Sequence, residues 1–193
     1  REYKVGRLWD NGGDIVRYFP RQSASRHEVP APEHLNTDKN PSLLYINGVR
    51  LEVLHPPAEN RAVRKRSSEN NRSLVIRLTY GDFSILFAGD IERSVQKALL
   101  MKGGALGATV LKVPHHGARD AVYPPFVAAV NPEVAVISAG RYNPFGHPHP
   151  LALSAYEEVE TAIYCTDRDG AVSIVSDGTS NSVETFTESL HPL

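Results

Sequence analysis

The sequence predicts an α/β fold, and three stretches carry that expectation. Ser84-Ile85-Leu86-Phe87-Ala88-Gly89-Asp90 is an apolar run that stops at a carboxylate, and Val110-Leu111-Lys112-Val113-Pro114 stops at His115-His116-Gly117. Val134-Ala135-Val136-Ile137-Ser138-Ala139-Gly140 is a third apolar run, followed by Gly146-His147-Pro148-His149-Pro150. Between the first two, Ile91 to Met101 has helical spacing, with Val95, Ala98 and Leu99 apolar among Glu92, Arg93 and Lys97. Strand, helix, strand is a crossover that sets both strand ends on one edge of a sheet, and ligands bind at that carboxyl edge.

Taken in order, Tyr3 to Trp9 reads as a strand ended by the turn Asp10-Asn11-Gly12-Gly13, and Asp14 to Phe19 as a short helix. Residues 20–41 are polar and punctuated by proline; they read as an irregular loop that leaves His27 and His34 without apolar strands to position them. Leu43 to Ile46, Asn47-Gly48 and Val49 to Leu54 form a hairpin, with Val49, Leu51 and Val53 inward and Arg50 and Glu52 outward. Residues 59–72 form a second loop carrying Arg61, Arg64, Lys65, Arg66 and Arg72, which is either a solvated charge run or a phosphate-contacting rim. Ser73 to Tyr80 and Phe83 to Ala88 form a tight hairpin around Gly81-Asp82 that delivers Asp90 to its edge. Pro124 to Val130 fits a short helix with Phe126, Val127 and Val130 on one face, and Leu151 to Glu160 fits another. Ala162 to Thr166 and Ala171 to Val175 read as strands joined in a hairpin by Asp167-Arg168-Asp169-Gly170, with Ser182 to Phe186 as an edge strand.

A chain of 193 residues is long enough for one domain, 1–193, with a real core. Its 41% hydrophobic and 22% charged residues are those of an ordinary globular protein. A net charge of -1 and a pI near 6.8 argue against holding nucleic acid by bulk charge and leave room for a local basic patch. The apolar runs fall far short of a membrane span, and no signal peptide opens the chain. The single cysteine, Cys165, permits no internal disulfide and reads as a buried strand residue. The chain starts at Arg1 and enters directly as a strand, which reads as a piece of a longer polypeptide.

A Gly-Asp after a strand is usually a turn or a helix cap, and a His-His pair is usually surface. Here, however, four of the eight histidines follow the ends of two apolar strands, which favours a site. Asp90 with His115, His116, His147 and His149 offers the imidazole nitrogens and carboxylate oxygens that suit Zn²⁺ or Mn²⁺. Glu92 reads as support for the helix start, where negative charge offsets the dipole.

Asn71 to Leu78, Phe87 to Glu92, Leu111 to Gly117, Val136 to Gly140 and Gly146 to Pro150 occur in that order. From about Asn70 to Ile174 the set resembles the C-terminal metallo-β-lactamase-like domain of ComEC-type DNA-internalisation competence proteins. The resemblance implies an αββα sandwich with a two-metal Zn²⁺ or Mn²⁺ site at one edge, where Asp90 matches a bridging Asp. It also implies a His-x-His-x-Asp-His ligand segment that this sequence lacks. The chain is therefore expected to be a sandwich truncated at its N-terminus, binding metal weakly or not at all by itself and inactive alone. Asp90 and His115 are the expected metal ligands, and His116, His147 and His149 are expected to contact metal or substrate. Arg61, Arg64, Lys65, Arg66 and Arg72 are expected to lie along a nucleic-acid backbone. The implied function is metal-assisted hydrolysis of DNA phosphodiesters during competence. It would reside in a soluble domain of a bacterial inner-membrane channel protein, on the extracytoplasmic side, partnered by DNA and the rest of that protein. Two other readings stay open: a phosphoester hydrolase of the same fold with other substrates, and a degenerate, non-catalytic binding module.

Overall fold

A computed structural model describes residues 9–10, 33–34, 43–57 and 67–186. Eleven strands follow one another among these residues. They are β1 (Trp9–Asp10), β2 (Glu33–His34), β3 (Leu43–Ile46), β4 (Val49–His55), β5 (Val75–Tyr80), β6 (Phe83–Phe87), β7 (Val110–Lys112), β8 (Val134–Ile137), β9 (Ala162–Cys165), β10 (Val172–Ser176) and β11 (Asn181–Thr185). Helices α1 (Arg93–Lys102), α2 (Pro124–Val130) and α3 (Pro150–Glu157) fill the three crossovers after β6, β7 and β8, and α4 (Thr166–Asp169) is a single turn after β9.

Strands β3 to β9 form one sheet in sequence order. The first four are antiparallel and joined by tight turns, while β6 to β9 are parallel because a helix returns the chain between each pair. Both residues of the Asn47-Gly48 turn have positive φ, the conformation a two-residue hairpin loop requires. Leu86, Leu111, Ala135 and Ile163 stand side by side on one face of the sheet. That face packs against Val95 and Leu99 of α1, Phe126 and Val130 of α2, and Ala152 and Tyr156 of α3. The opposite face presents Phe83, Val110 and Val134, covered by Ile174 of β10 and Val183 of β11. The layers are therefore helices, a seven-stranded mixed sheet, and a two-stranded antiparallel sheet: an α/β arrangement. Gln96 is fully buried on α1, and its Nε2–H groups donate to the Ile91 and Ala121 carbonyls. It thereby ties the start of α1 to the chain that follows His115-His116-Gly117.

Three expectations change. The segments around Asp167 to Gly170 are not a hairpin, since β10 leaves the large sheet and pairs with β11 instead. The intervening residues are used locally: the Asp169 carboxylate accepts the Cys165 N–H at 2.7 Å, and the Arg168 guanidinium donates to both Asp169 and the Ile163 carbonyl. Gly170, at φ 74°, then turns the chain away. The expected loop over 20–41 contains a short strand, since Glu33–His34 pairs in parallel with Trp9–Asp10. The remainder of that loop, with His27, the strand residues before Trp9 and the helix over 14–19, lies outside the described residues. On β4 the alternation is weaker than expected: Val53 is buried, whereas Val49 and Leu51 are only half-buried on this outer part of the sheet.

Cys165 is buried at the end of β9, as its strand context implies. Desolvation, with a hydrogen bond to Asp167 adding to it, pushes its thiol up to about 12. Because the folded value lies above the ordinary one, this group's contribution to stability is complete below about pH 8.5 and is lost as pH rises towards the folded value. The native chain should therefore react with a disulfide reagent at pH 8 far more slowly than the urea-unfolded chain, by roughly 100-fold or more. Equal rates would show the thiol to be open.

Candidate functional site

Three loops meet beyond the carboxyl ends of β6, β7 and β8. The first turns at Gly89 (φ 57°), where a Cβ would lie 2.7 Å from the Ser73 Cβ. Only glycine lets the chain pass so close, and the following Asp90 N–H donates to Ser73 Oγ at 3.1 Å. In the second loop His115, His116 and Gly117 all have positive φ, a left-handed turn that holds both imidazoles at the edge. The His115 N–H donates to the Gly89 carbonyl at 3.0 Å, binding the first two loops together. The third loop is closed by Asn143, whose amide donates to the Gly140 and His147 carbonyls while its oxygen accepts the His147 N–H. It docks on the second loop through Gly117, whose carbonyl accepts the His149 N–H at 2.9 Å.

These loops bring Asp90, His115, His116 and His147 together. The His116 Nδ1–H donates to the Ser138 carbonyl at 2.7 Å, which in the neutral ring makes Nε2 the lone-pair nitrogen, and Nε2 lies 3.7 Å from Asp90 Oδ1. His115 Nδ1 lies 3.3 Å from Asp120 Oδ1, in a geometry that makes no hydrogen bond, and this buried nitrogen has no hydrogen-bond partner among the described residues. The rings of His115 and His147 meet edge to face at 5.9 Å, and His147 Nδ1 is likewise buried and unbonded. Desolvation first, then the neighbouring His115 and His116, hold His147 below the usual imidazole range. It is therefore neutral at pH 7. His149 caps α3, its Nδ1 accepting the Leu151 N–H at 3.2 Å.

Glu92 does more than begin a helix. Its side chain makes no cap bond; its carboxylate accepts from Asn71 Nδ2 at 2.7 Å and from Ser68 Oγ and Asn70 Nδ2 at 3.2 Å. Asn71 is anchored in turn, its carbonyl accepting the His55 Nε2–H. Held in this way, Glu92 places a carboxylate oxygen within 4.8 Å of ligand atoms on His115 and Asp120. Unbonded buried imidazole nitrogens beside carboxylate oxygens are the donor set a divalent cation takes, so the residues present fit such an ion.

Glu92 joins the site without a sequence pattern that marks it, as do Asp120, Arg93 and Arg119. The last three line a cleft of about 760 Å³ with His115, His147 and Phe145. The His-His-Gly-Ala-Arg-Asp string, with charges two and three residues past Gly117, was the available signal. Arg72 is partnered by Glu69 at 2.9 Å. Arg61, Arg64, Lys65 and Arg66 lie outside the described residues. Among the described residues no helix is long and apolar enough to cross a membrane.

No family model matches the chain. Over 149 residues, 77% of its length, it is 32% identical to ComE operon protein 3 of Bacillus subtilis. It is 32% identical over 127 residues to Competence protein ComA of Neisseria gonorrhoeae, and 30% identical over 127 residues to Recombination protein 2 of Haemophilus influenzae, about two thirds of the chain in each case (65% and 66%). The matched segments span 18%, 18% and 15% of those relatives' lengths.

Proposed function

We propose, from the premise that this chain belongs to the ComEC-type competence proteins, that it is the part of a DNA-uptake protein that hydrolyses phosphodiesters with the help of bound Zn²⁺ or Mn²⁺. The observation that carries this reading is the meeting of Asp90, His115, His116 and His147 at the carboxyl edge of the parallel strands, with imidazole nitrogens left unbonded. The helix layer, central sheet and two-stranded sheet are compatible with part of an αββα sandwich. Asp90 with His116, and Glu92 with His115 and Asp120, are the donors that would hold cations. A bound cation supplies Lewis-acid stabilisation of charge on the phosphoryl oxygens. The protein's own residues do the rest. The Ser138 carbonyl fixes the His116 tautomer, neutral His147 is able to accept or deliver a proton, and Arg93 and Arg119 counter the phosphate charge. The sequence holds no His-x-His-x-Asp-His segment, so in this reading the full two-metal site belongs to the larger, membrane-associated parent. An extracytoplasmic position suits an enzyme that meets DNA before it crosses the membrane.

The test compares linear DNA with a small phosphodiester, bis(p-nitrophenyl) phosphate, in Mn²⁺ and in EDTA, using both the chain and the longer parent. Mn²⁺-dependent cleavage of DNA by the parent, lowered about 100-fold or more in His116→Ala, is the expected result. Hydrolysis of the small ester alone would move the reading to another phosphoester hydrolase. Cleavage of neither, by a parent that binds Mn²⁺, would leave a non-catalytic module.

A further inference from the structure

Phe145 is a large apolar side chain left outside the core of the described residues. The residue is 76% exposed, on the loop between β8 and α3, and belongs to neither core cluster. It lies near-parallel to His147, with centroids 5.8 Å apart and planes 20° apart. It also lines two cavities, the cleft of about 760 Å³ and a neighbouring one of about 400 Å³ bounded by His116 and Asn143. The ring is therefore a partition between two open spaces beside the candidate hydrolytic edge. On the wall of the larger cleft are Arg93 and Arg119. The Arg93 Nε–H donates to the Val122 carbonyl at 3.2 Å, which fixes the side chain in the wall. The carboxylate of that wall, Asp120, lies against His115.

An exposed aromatic ring beside two guanidinium groups, with imidazoles next to it, matches the chemistry of an unpaired nucleotide: a base with a π-face and a phosphate. In a duplex the bases are stacked on one another and cannot lie on the ring. We infer that this cleft is a subsite for single-stranded nucleic acid, in which Phe145 receives one unstacked base and Arg93 and Arg119 hold the flanking phosphates. The inference rests on the proposed function and adds the substrate class: a single strand or frayed end, read without base preference because every base has a face to stack.

The test is binding without chemistry. A 5′-labelled oligo(dT) 12-mer and a labelled hairpin duplex are titrated by fluorescence anisotropy in EDTA, with the chain and its variants. The single strand should bind more tightly than the duplex, by about 10-fold. Phe145→Ala should weaken single-strand binding roughly 5- to 150-fold, and Phe145→Trp should restore it. Arg93→Ala with Arg119→Ala should weaken binding and reduce the slope of log K against log salt by about 1.4, two phosphate contacts on a single strand. Equal affinity of Phe145→Ala and the native chain, or equal affinity for duplex and single strand, would overturn the inference. Because no divalent cation is present, intact binding with no hydrolysis in Mn²⁺ would count against the proposed hydrolase alone, whereas hydrolysis with Phe145-independent binding would count against the subsite alone.

Discussion

In the longer parent, Asp90→Asn should lower Mn²⁺ affinity at least 10- to 100-fold, more than the loss of a group that only supports a ligand, and should lower any Mn²⁺-dependent DNA cleavage at least about 100-fold. The substitution keeps the shape of the side chain and exchanges an anionic oxygen pair for a neutral amide, which is a poor cation ligand. Its effect on folding should be small, within about 0.5 kcal/mol. The backbone N–H bond to Ser73 Oγ does not involve the side chain, and the Asp90 and His116 side chains are 45% and 48% exposed at a separation of 3.7 Å, too open and too distant for a strong ion pair. Titration of Mn²⁺ by electron paramagnetic resonance gives the affinity, and urea unfolding gives the stability. A parent variant that binds Mn²⁺ like the native parent would remove Asp90 from the ligand set. Asp120→Asn, tested in parallel, reports on the other donor group with Glu92 and His115.

The edge at which these residues meet could be read from the sequence because the signals that build it are local. An apolar run that ends at Asp90, another that ends at His115, and helical spacing between them are sufficient to place both ends side by side, and β6 and β7 do pair in parallel. An apolar run with His147 just past its end likewise puts that residue beyond β8. The role of Glu92 could not be read this way. Its carboxylate is held by Asn70 and Asn71 from more than twenty residues earlier, in a segment that has no periodic pattern. At its own position, a Glu before a helix looks like a dipole effect. Phe145 was invisible for the opposite reason: a lone aromatic residue in a Gly- and Pro-rich loop has the same sequence signature whether it packs or projects. The departure of β10 from the sheet depended on hydrogen bonds of Arg168 and Asp169 to β9 itself, which compete with a turn that their composition would equally support.

Gly117→Ala should be strongly damaging for a single added methyl group, costing about 2–5 kcal/mol of folding stability. Two terms add. An alanine at φ 75° occupies the left-handed region, at roughly 1–2 kcal/mol. Its Cβ would also lie 2.9 Å from the Pro148 Cβ and 3.3 Å from the Pro148 Cα, an overpacked contact against a rigid ring and backbone worth roughly 1–3 kcal/mol. Gly146→Ala separates the terms, because Gly146 also has positive φ (66°) but nothing lies within 4 Å of where its Cβ would be. That variant should lose only the backbone cost, about 1–2 kcal/mol. The site should respond to the same contact. Relieving it moves the loop of His147, Pro148 and His149 away from His115 and His116, stretching the bond between the His149 N–H and the Gly117 carbonyl. Gly117→Ala should therefore also shift the His147 imidazole resonances in NMR spectra. Urea unfolding of the two variants side by side is the measurement, and a Gly117→Ala loss no larger than that of Gly146→Ala would mean that the two loops do not meet at Pro148.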